Sequence, residues 1–308
     1  MIRALGQRSA KGVASLAMAG TLLALAPAAL ALGGYPPELP GARVETYKTI
    51  GDVSLKLWIF EPENRATTNR CAAVVFFFGG GWTSGSPAQF EQQCRHLAQR
   101  GLVAITVDYR VASRQHAKPV QCLADAKSAI RWVRAHADKL GIDSNRIAAA
   151  GGSAGGHLAA CTGTIKEFDE TNEDANVSSV PNAMILFNPA LVLAPFGDLK
   201  LEGFGTRVPA ERLGTKPEKI SPAHHVVAGT PPTIIFHGRD DTTIPFVTAE
   251  AFAAAMKKAG NRCELVGFDG QKHGFFNYKP GGNPFYDQTV AKMDDFLVSL
   301  GWLKPAKP

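Results

Sequence analysis

A stretch of twelve residues, Arg146–His157, constrains the fold more than any other part of the chain. It reads R-I-A-A-A-G-G-S-A-G-G-H, so a short apolar run, Ile147–Ala150, leads into a glycine turn that contains Ser153, and a helical pattern follows from His157. A serine on such a turn is raised above the end of a sheet. The strand before it and the helix after it cross closely, and only residues without a Cβ allow this approach. The helix N-terminus beneath it offers free N–H groups and a positive dipole. The stretch therefore predicts Ser153 as a nucleophile. A glycine-rich turn with an incidental serine is the alternative.

The rest of the chain alternates apolar strand patterns with amphipathic helix patterns. The predicted strands are Val44–Ile50, Val53–Phe60, Cys71–Phe78, Gly101–Val107, Ile147–Ala150, Val180–Phe187, Thr233–His237 and Glu264–Phe268. The predicted helices are Gln89–Gln99, Val120–Leu140, the one after Ser153, Thr248–Ala259 and Gln288–Leu300. This alternation predicts an α/β fold with a mostly parallel sheet flanked by helices. The first two strands, joined by a Gly-Asp turn, predict an antiparallel hairpin at the sheet edge.

The N-terminal residues have the pattern of a secretory signal peptide. A segment with three basic residues precedes the apolar run Val13–Leu25, and A-L-A at residues 29–31 fits a cleavage site. We predict cleavage after Ala31, export to the periplasm or beyond the cell, and no stable membrane anchor afterwards; an uncleaved anchor is the alternative. Residues 32–308 are then expected to form a single domain. Within them, residues 188–230 have no clear strand, and an insertion of this length is typical of a lid or binding loop.

The charge and the cysteine spacing argue against nucleic-acid binding and against a metal site. The net charge of +6 includes three basic residues of the signal, which leaves a dispersed +3 on the mature chain. That charge is too small to indicate nucleic-acid binding. The five cysteines, Cys71, Cys94, Cys122, Cys161 and Cys263, have no metal-finger spacing, so no metal site is predicted. Their odd number leaves at least one thiol unpaired within an exported chain, and neither a pairing nor an oligomeric state is predicted.

A serine nucleophile needs a base, which for a serine on such a turn lies downstream in the chain after an Asp or Glu. His273 is the candidate, because it lies in a glycine-flanked loop, D-G-Q-K-H-G-F, just past the last predicted strand. His157 lies in the helix below the turn, and His237 ends a strand, where we expect it to brace a turn. His224 and His225 lie in the insertion and are candidates to line a pocket.

The acid and the oxyanion donors are expected in loops at the same edge of the sheet. The turn at residues 237–245 follows the preceding strand, and Asp240 and Asp241 both qualify by position. An oxyanion hole needs preorganised N–H donors, one of which comes from the residue after the nucleophile, Ala154. Gly79–Gly81, directly after a buried strand, would present the others. A plain tight turn is the alternative for these glycines.

Together these segments resemble the α/β-hydrolase superfamily, and within it the secreted esterases of the hormone-sensitive-lipase-like and acetylxylan/feruloyl-esterase-like branches. The resemblance rests on F-F-F-G-G-G-W, D-Y-R, G-G-S-A-G-G-H, P-P-T-I-I-F-H-G-R-D-D-T-T-I-P and K-H-G-F, and it covers residues 43–303. It implies the α/β-hydrolase fold, hydrolysis of carboxylic esters through an acyl-enzyme, and no metal or organic cofactor. It also implies a substrate with a short acyl group such as acetyl, on a small molecule or on a polysaccharide.

The resemblance also implies roles for individual residues. The roles are nucleophile Ser153, base His273, acid Asp241 and oxyanion donors Gly80, Gly81 and Ala154. The family's H-G-G-G motif has Phe78 here in place of its histidine, which implies an apolar support for the loop and leaves the backbone donors in place. Trp82 is similar to the aromatic residue often found there, and with His224 it is predicted to line the substrate pocket. Buried packing is the alternative for Trp82.

Four other functions fit parts of the pattern. A serine exopeptidase of the prolyl-oligopeptidase type shares the serine motif, but the chain has no room for the propeller domain of that type. An arylformamide hydrolase would use the same residues. A catalytically silent binding protein is disfavoured by the complete Ser, Asp and His set, and an interfacial lipase by the charged segment Leu199–Ile220.

Overall fold

The computed structural model describes residues 34–63, 70–199 and 208–305, which belong to one compact unit, residues 32–308. The predicted signal peptide and residues 200–207 of the predicted insertion lie outside the described residues. In the described ranges, no helix combines the length and the apolar character that crossing a bilayer requires.

The described residues form an eight-stranded sheet. Its strands are β1 (Arg43–Ile50), β2 (Val53–Phe60), β3 (Cys71–Phe77), β4 (Val103–Val107), β5 (Ile142–Gly152), β6 (Ala183–Phe187), β7 (Thr233–Gly238) and β8 (Cys263–Phe268). The order across the sheet is β1-β2-β4-β3-β5-β6-β7-β8. β2 pairs antiparallel with β1 and β4, and the neighbours from β4 to β8 are parallel. The predicted α/β architecture with an antiparallel edge hairpin is confirmed.

Both faces of the sheet are buried, which explains the continuous apolar runs in its central strands. In β3, Val75 and Phe77 contribute to the hydrophobic core on one face, whereas Val74 and Phe76 contribute to the core on the other face. Alternate residues of a strand point to opposite faces, so a strand covered on both sides needs apolar residues at every position. Because strands β3 to β8 run parallel, their carboxyl ends lie along the same side of the sheet, and the loops that follow them meet there.

Helices cover both faces. They are α1 (Glu91–Gln99), α2 (Ala112–Gln115), α3 (Pro119–Ala135), α4 (Ala137–Leu140), α5 (Ala154–Thr164), α6 (Ala210–Leu213), α7 (Phe246–Lys258) and α8 (Pro284–Ser299). The predicted single helix Val120–Leu140 is wrong, because it is interrupted at His136. The backbone of His136 leaves the helical region, its ring stacks on Trp132 with centroids 4.0 Å apart, and its Nδ1 lies 2.8 Å from the Trp132 carbonyl.

Residues 188–230 form irregular structure where they are described. They include α6 and two 3-10 turns, Pro217–Ile220 and Pro222–His225, and their described parts add no strand to the sheet. α6 brings part of this segment to the edge at which the parallel strands end.

Candidate active site

Ser153 lies on a strained turn between β5 and α5. Its φ is 56° and its ψ −118°, a conformation that costs free energy for a residue with a side chain. A Cβ on Gly155 would lie 2.0 Å from the carbonyl oxygen of Phe77, and one on Gly151 would lie 2.5 Å from the backbone of Gly155. Only glycine fits these two positions, so the glycines of the motif are required by the close crossing of β5, α5 and the end of β3.

The structure brings Ser153, Asp241 and His273 together from the loops after β5, β7 and β8. His273 Nε2 lies 2.9 Å from Ser153 Oγ, and His273 Nδ1 lies 2.7 Å from Asp241 Oδ2. The carboxylate accepts the Nδ1 proton, which leaves Nε2 as an acceptor for the serine hydroxyl. Asp240 is exposed, and its backbone N–H donates to the Gln271 carbonyl, so of the two neighbouring carboxylates only Asp241 contacts His273.

Asp241 is held in its ionised form. Burial raises its pKa, but hydrogen bonds from His237, His273 and the N–H of Ile244 outweigh this effect and hold the pKa well below its usual range. Its Oδ1 accepts the N–H groups of Thr243 and Ile244 at 2.8 and 2.9 Å. A buried, ionised carboxylate against His273 orients the ring and stabilises a positive charge on it.

His237 and His157 form hydrogen bonds that hold segments next to the site. The Nε2 of His237 donates to the Ile244 carbonyl at 2.8 Å and lies 3.3 Å from Asp241, so this histidine braces the turn that carries the acid. Burial lowers the pKa of His157 to about 4, against a smaller opposing effect of its hydrogen bond to the Ile220 carbonyl. His157 is therefore neutral near pH 7 and links α5 to the segment after β6.

Free N–H groups lie next to Ser153. The loop Gly79–Gly85, hereafter the glycine loop, has φ values of 125° and 62° at Gly80 and Gly81. The N–H of Gly79 is occupied, because it donates to Gln89 Oε1 at 2.6 Å. No acceptor in the described residues takes the N–H of Gly80 or Gly81. Ala154 begins α5, where N–H groups have no partner within the helix.

Phe78 replaces the histidine of the related motif and supports the glycine loop by stacking. Its buried ring lies on that of Tyr109 with centroids 4.1 Å apart, and the Tyr109 hydroxyl donates to the Phe78 carbonyl at 2.7 Å. The support is thus apolar at the ring and polar at the backbone. Tyr109 belongs to the D-Y-R stretch, and this supporting role was not expected from the sequence.

A cavity of about 170 Å³ opens beside Ser153. It is lined by Gly81, Trp82, Ser153, Ala154, Ala190, Val208, Arg212, Thr243 and Ile244. Trp82 is among these lining residues, and it is also buried in the hydrophobic core. Arg212, on α6, was not identified from the sequence; its Nη2 donates to the Gly81 carbonyl at 2.9 Å and so ties α6 to the glycine loop.

His224 does not line this cavity, contrary to the prediction. Its Nδ1 lies 2.8 Å from Ser221 Oγ and its Nε2 lies 3.0 Å from the Pro195 carbonyl, so both ring nitrogens are engaged within the segment that follows β6. The ring also packs against Phe196. The described residues contain no group of three or more His, Cys, Asp or Glu side chains suited to a metal ion.

Two family models match the chain. The BD-FAE model matches residues 57–256, and that of the dienelactone hydrolase family matches residues 214–306. Esterase 2 of Thermogutta terrifontis, solved with propionate and with butyrate bound, is 54% identical with a TM-score of 0.84. These two matches cover 89% of this chain, and 100% and 99% of the solved chains.

Curated relatives are more distant. Esterase LipC of Mycobacterium tuberculosis is 33% identical over 68% of this chain and 54% of its own length. An acetylxylan esterase of Xylanibacter ruminicola is 26% identical over 84% of this chain and 51% of its own length. The chain spans about half the length of the first curated relatives that it matches.

Proposed function

The chain belongs to the BD-FAE family and has the α/β-hydrolase fold, and we propose that it is a serine carboxylic ester hydrolase that acts on short acyl esters. One observation carries the proposal. Ser153, His273 and Asp241 form a continuous hydrogen-bonded chain next to free N–H groups and a small cavity. That combination supplies a nucleophile, a base, a fixed carboxylate and donors for an oxyanion.

Acylation begins at Ser153 Oγ. The oxygen attacks the ester carbonyl carbon while its proton moves to His273 Nε2, and the carbonyl oxygen becomes an oxyanion. The N–H groups of Gly81 and Ala154, with that of Gly80, are the donors for this charge. The bond to the alcohol oxygen then breaks, and His273 returns the proton to the leaving alcohol, which leaves an acyl group on Ser153.

Deacylation repeats these steps with water. The water oxygen attacks the acyl carbon while one water proton moves to His273. His273 then gives that proton to Ser153 Oγ as the bond to the acyl carbon breaks and the carboxylic acid product leaves. Asp241 remains ionised throughout, because its pKa lies well below its usual range. Its charge stabilises the imidazolium that forms in each half of the reaction.

The size and lining of the cavity support a short, apolar acyl group. A cavity of about 150 Å³ holds a benzene ring, so a space of about 170 Å³ fits an acyl chain of a few carbons. Trp82, Ala190, Val208 and Ile244 present carbon to it. The propionate and butyrate complexes of Thermogutta terrifontis esterase 2 are consistent with this size.

Two finer parts of the proposal concern the alcohol and the location. The match to an acetylxylan esterase supports acetylated polysaccharide as a substrate. The basic and apolar pattern of residues 1–31 supports export after cleavage at Ala31. N-terminal sequencing of the protein recovered outside the cytoplasm tests the cleavage, which is refuted if the chain still begins at Met1.

Hydrolysis of 4-nitrophenyl acetate, butyrate and octanoate by the wild type and by Ser153→Ala tests the function. We expect activity on the two short esters, weak activity on octanoate, and at least a ~1,000-fold loss in the variant. Ser54→Ala, an exposed change on β2, is the matched control and should retain full activity. A folded wild type without esterase activity refutes the proposal, and aryl formamides, peptides and then ligand binding would be tested next. Release of acetate from acetylated xylan tests the polysaccharide.

A further inference from the structure

Two amide side chains connect the glycine loop to the loop that carries His273. The N–H of Gly79 donates to Gln89 Oε1 at 2.6 Å, and Gln89 Nε2 donates to Asn277 Oδ1 at 2.9 Å. Asn277 Nδ2 in turn donates to the Gly274 carbonyl at 2.9 Å. Gln89 and Asn277 lie 188 positions apart in the chain, yet they join the residue before the oxyanion donors to the residue after His273.

The orientation of both amides is fixed by the ends of this chain of hydrogen bonds. A backbone N–H can only donate, so the group of Gln89 that faces Gly79 must be the oxygen. A backbone carbonyl can only accept, so the group of Asn277 that faces Gly274 must be the nitrogen. The remaining oxygen and nitrogen then match each other between the two side chains. Only one arrangement satisfies every group, and we call Gln89 with Asn277 the amide relay.

A third amide holds the histidine loop from the opposite side. The N–H of Gly274 donates to Oδ1 of Asn188, a fully buried residue just after β6. The preceding carbonyl, that of Phe187, accepts the N–H of Ser153 at 2.9 Å. Gly274 is thus fixed through its carbonyl to the glycine loop and through its N–H to the strand beside the nucleophile.

Aromatic packing supports the same link. Phe90 and Phe276 directly follow and precede Gln89 and Asn277, and their buried rings stack with centroids 5.9 Å apart. A Cβ on Gly152, the residue before the nucleophile, would lie 2.5 Å from the Phe276 ring. The amide relay therefore lies next to a packed aromatic contact. We expect that loss of its hydrogen bonds changes the positions of the loops on both sides.

We propose that Gln89 and Asn277 are positioning residues that hold the oxyanion donors and His273 in register with each other. The inference rests on the proposed esterase function. Gln89 accepts the Gly79 N–H, so the peptide between Phe78 and Gly79, from which the glycine loop starts, has a fixed direction. The same relay binds the carbonyl of Gly274, the residue after His273, which also accepts the Asn277 backbone N–H at 3.1 Å. Displacement of either loop by about 1 Å lowers the rate of the chemical step on the order of 100-fold.

Kinetics of Gln89→Met, Asn277→Leu and the double variant on 4-nitrophenyl acetate test the proposal. Both substitutions keep the side-chain size and remove the hydrogen bonds. We expect each to lower kcat by about 10- to 100-fold with KM within about twofold. The double variant should have a kcat only slightly below that of the less active single variant, because either change alone already breaks the relay. Gln92→Met, a half-buried change on α1 with no side-chain hydrogen bond in the described residues, is the matched control.

Backbone amide spectra of protein with 15N-labelled glycine give a readout that needs no substrate. In either single variant the signals of Gly79 and Gly274 should both move, and in Gln92→Met neither should. Wild-type kcat in a folded relay variant, a loss confined to KM, or movement of the nearer glycine alone overturns the proposal. A wild type that hydrolyses no ester refutes the proposed function instead, and the spectra then decide whether the relay couples the two loops.

Discussion

Replacing Ile244 by Ala is expected to lengthen the acyl group that the cavity accepts. The Ile244 side chain lines the cavity and is only 4% exposed. Its backbone N–H, which donates to Asp241 Oδ1 at 2.9 Å, is retained in the variant. The substitution therefore enlarges the acyl site and leaves the hydrogen bonds of the acid unchanged.

The size of the effect follows from the carbons removed. Alanine lacks three carbons of isoleucine, and a buried methylene is worth about 0.8 kcal/mol, so full use of the new space is worth about 2.4 kcal/mol. This corresponds to an increase of up to about 60-fold in kcat/KM for hexanoate relative to acetate. The measurement is the ratio of kcat/KM for the two 4-nitrophenyl esters, determined for the wild type and the variant well below their melting temperatures.

Ile220→Ala is the matched control. Ile220 is fully buried, and its side chain does not line the described cavity. Both variants are expected to lose about 2–5 kcal/mol of unfolding free energy, as large-to-small core changes do. Only Ile244→Ala should change the hexanoate-to-acetate ratio. An unchanged ratio in folded Ile244→Ala, or an equal shift in Ile220→Ala, would refute the assignment of this cavity as the acyl site.

Three further predictions concern the acid, a buried carboxylate and the serine turn. Asp241→Asn should fold normally and lower kcat by about 10⁴-fold in ester kinetics, because the asparagine favours the wrong tautomer of the histidine; a loss under tenfold would contradict this. Burial raises the pKa of Asp108 to about 6, so its contribution to the free energy of unfolding declines as pH rises from about 4 to about 6 and is constant above. Urea unfolding should show that wild type loses stability relative to Asp108→Asn across this interval; parallel pH profiles would argue against it. Gly155→Ala places a Cβ 2.0 Å from the Phe77 carbonyl oxygen and should lower the free energy of unfolding by more than about 4 kcal/mol, with a lower melting temperature. Gly34→Ala, with open space around it, should leave the melting temperature unchanged.

The fold was predictable because its signals are local. Continuous apolar runs such as Cys71–Phe78 mark strands buried on both faces, and the alternation with amphipathic helices fixes a mostly parallel sheet. The interruption at His136 was not predictable, because Leu140 continues the apolar pattern past it. The break depends on how His136 stacks on Trp132, which periodicity does not report.

Ser153, Asp241 and His273, which the structure brings together, were predicted from chain order and from the turns that hold them. Position alone left Asp240 and Asp241 equal, since the direction of each side chain depends on the path of the turn after β7. In the structure only Asp241 contacts His273, and His237 braces the turn that carries it. His224 was assigned wrongly, because its contact with the Pro195 carbonyl, 29 positions away in the chain, exists only in the folded segment.

Gln89 and Asn277 were missed altogether. A glutamine in the turn that leads into α1 and an asparagine after K-H-G-F have no distinctive local pattern. Their partnership exists only because β3 and β8 end at the same edge of the sheet. Polar contacts between distant loops are therefore the part of such a site that a single sequence does not reveal.

Reaction with diethyl 4-nitrophenyl phosphate, followed by mass spectrometry of the digested protein, tests the central claim most directly. The reagent transfers a diethylphosphoryl group to an activated serine and releases 4-nitrophenol. One group per chain, on the peptide that contains Ser153, with loss of esterase activity in proportion to labelling, is the predicted result. Loss of activity with the label on another residue, or full labelling of Ser153 with activity retained, would contradict the account.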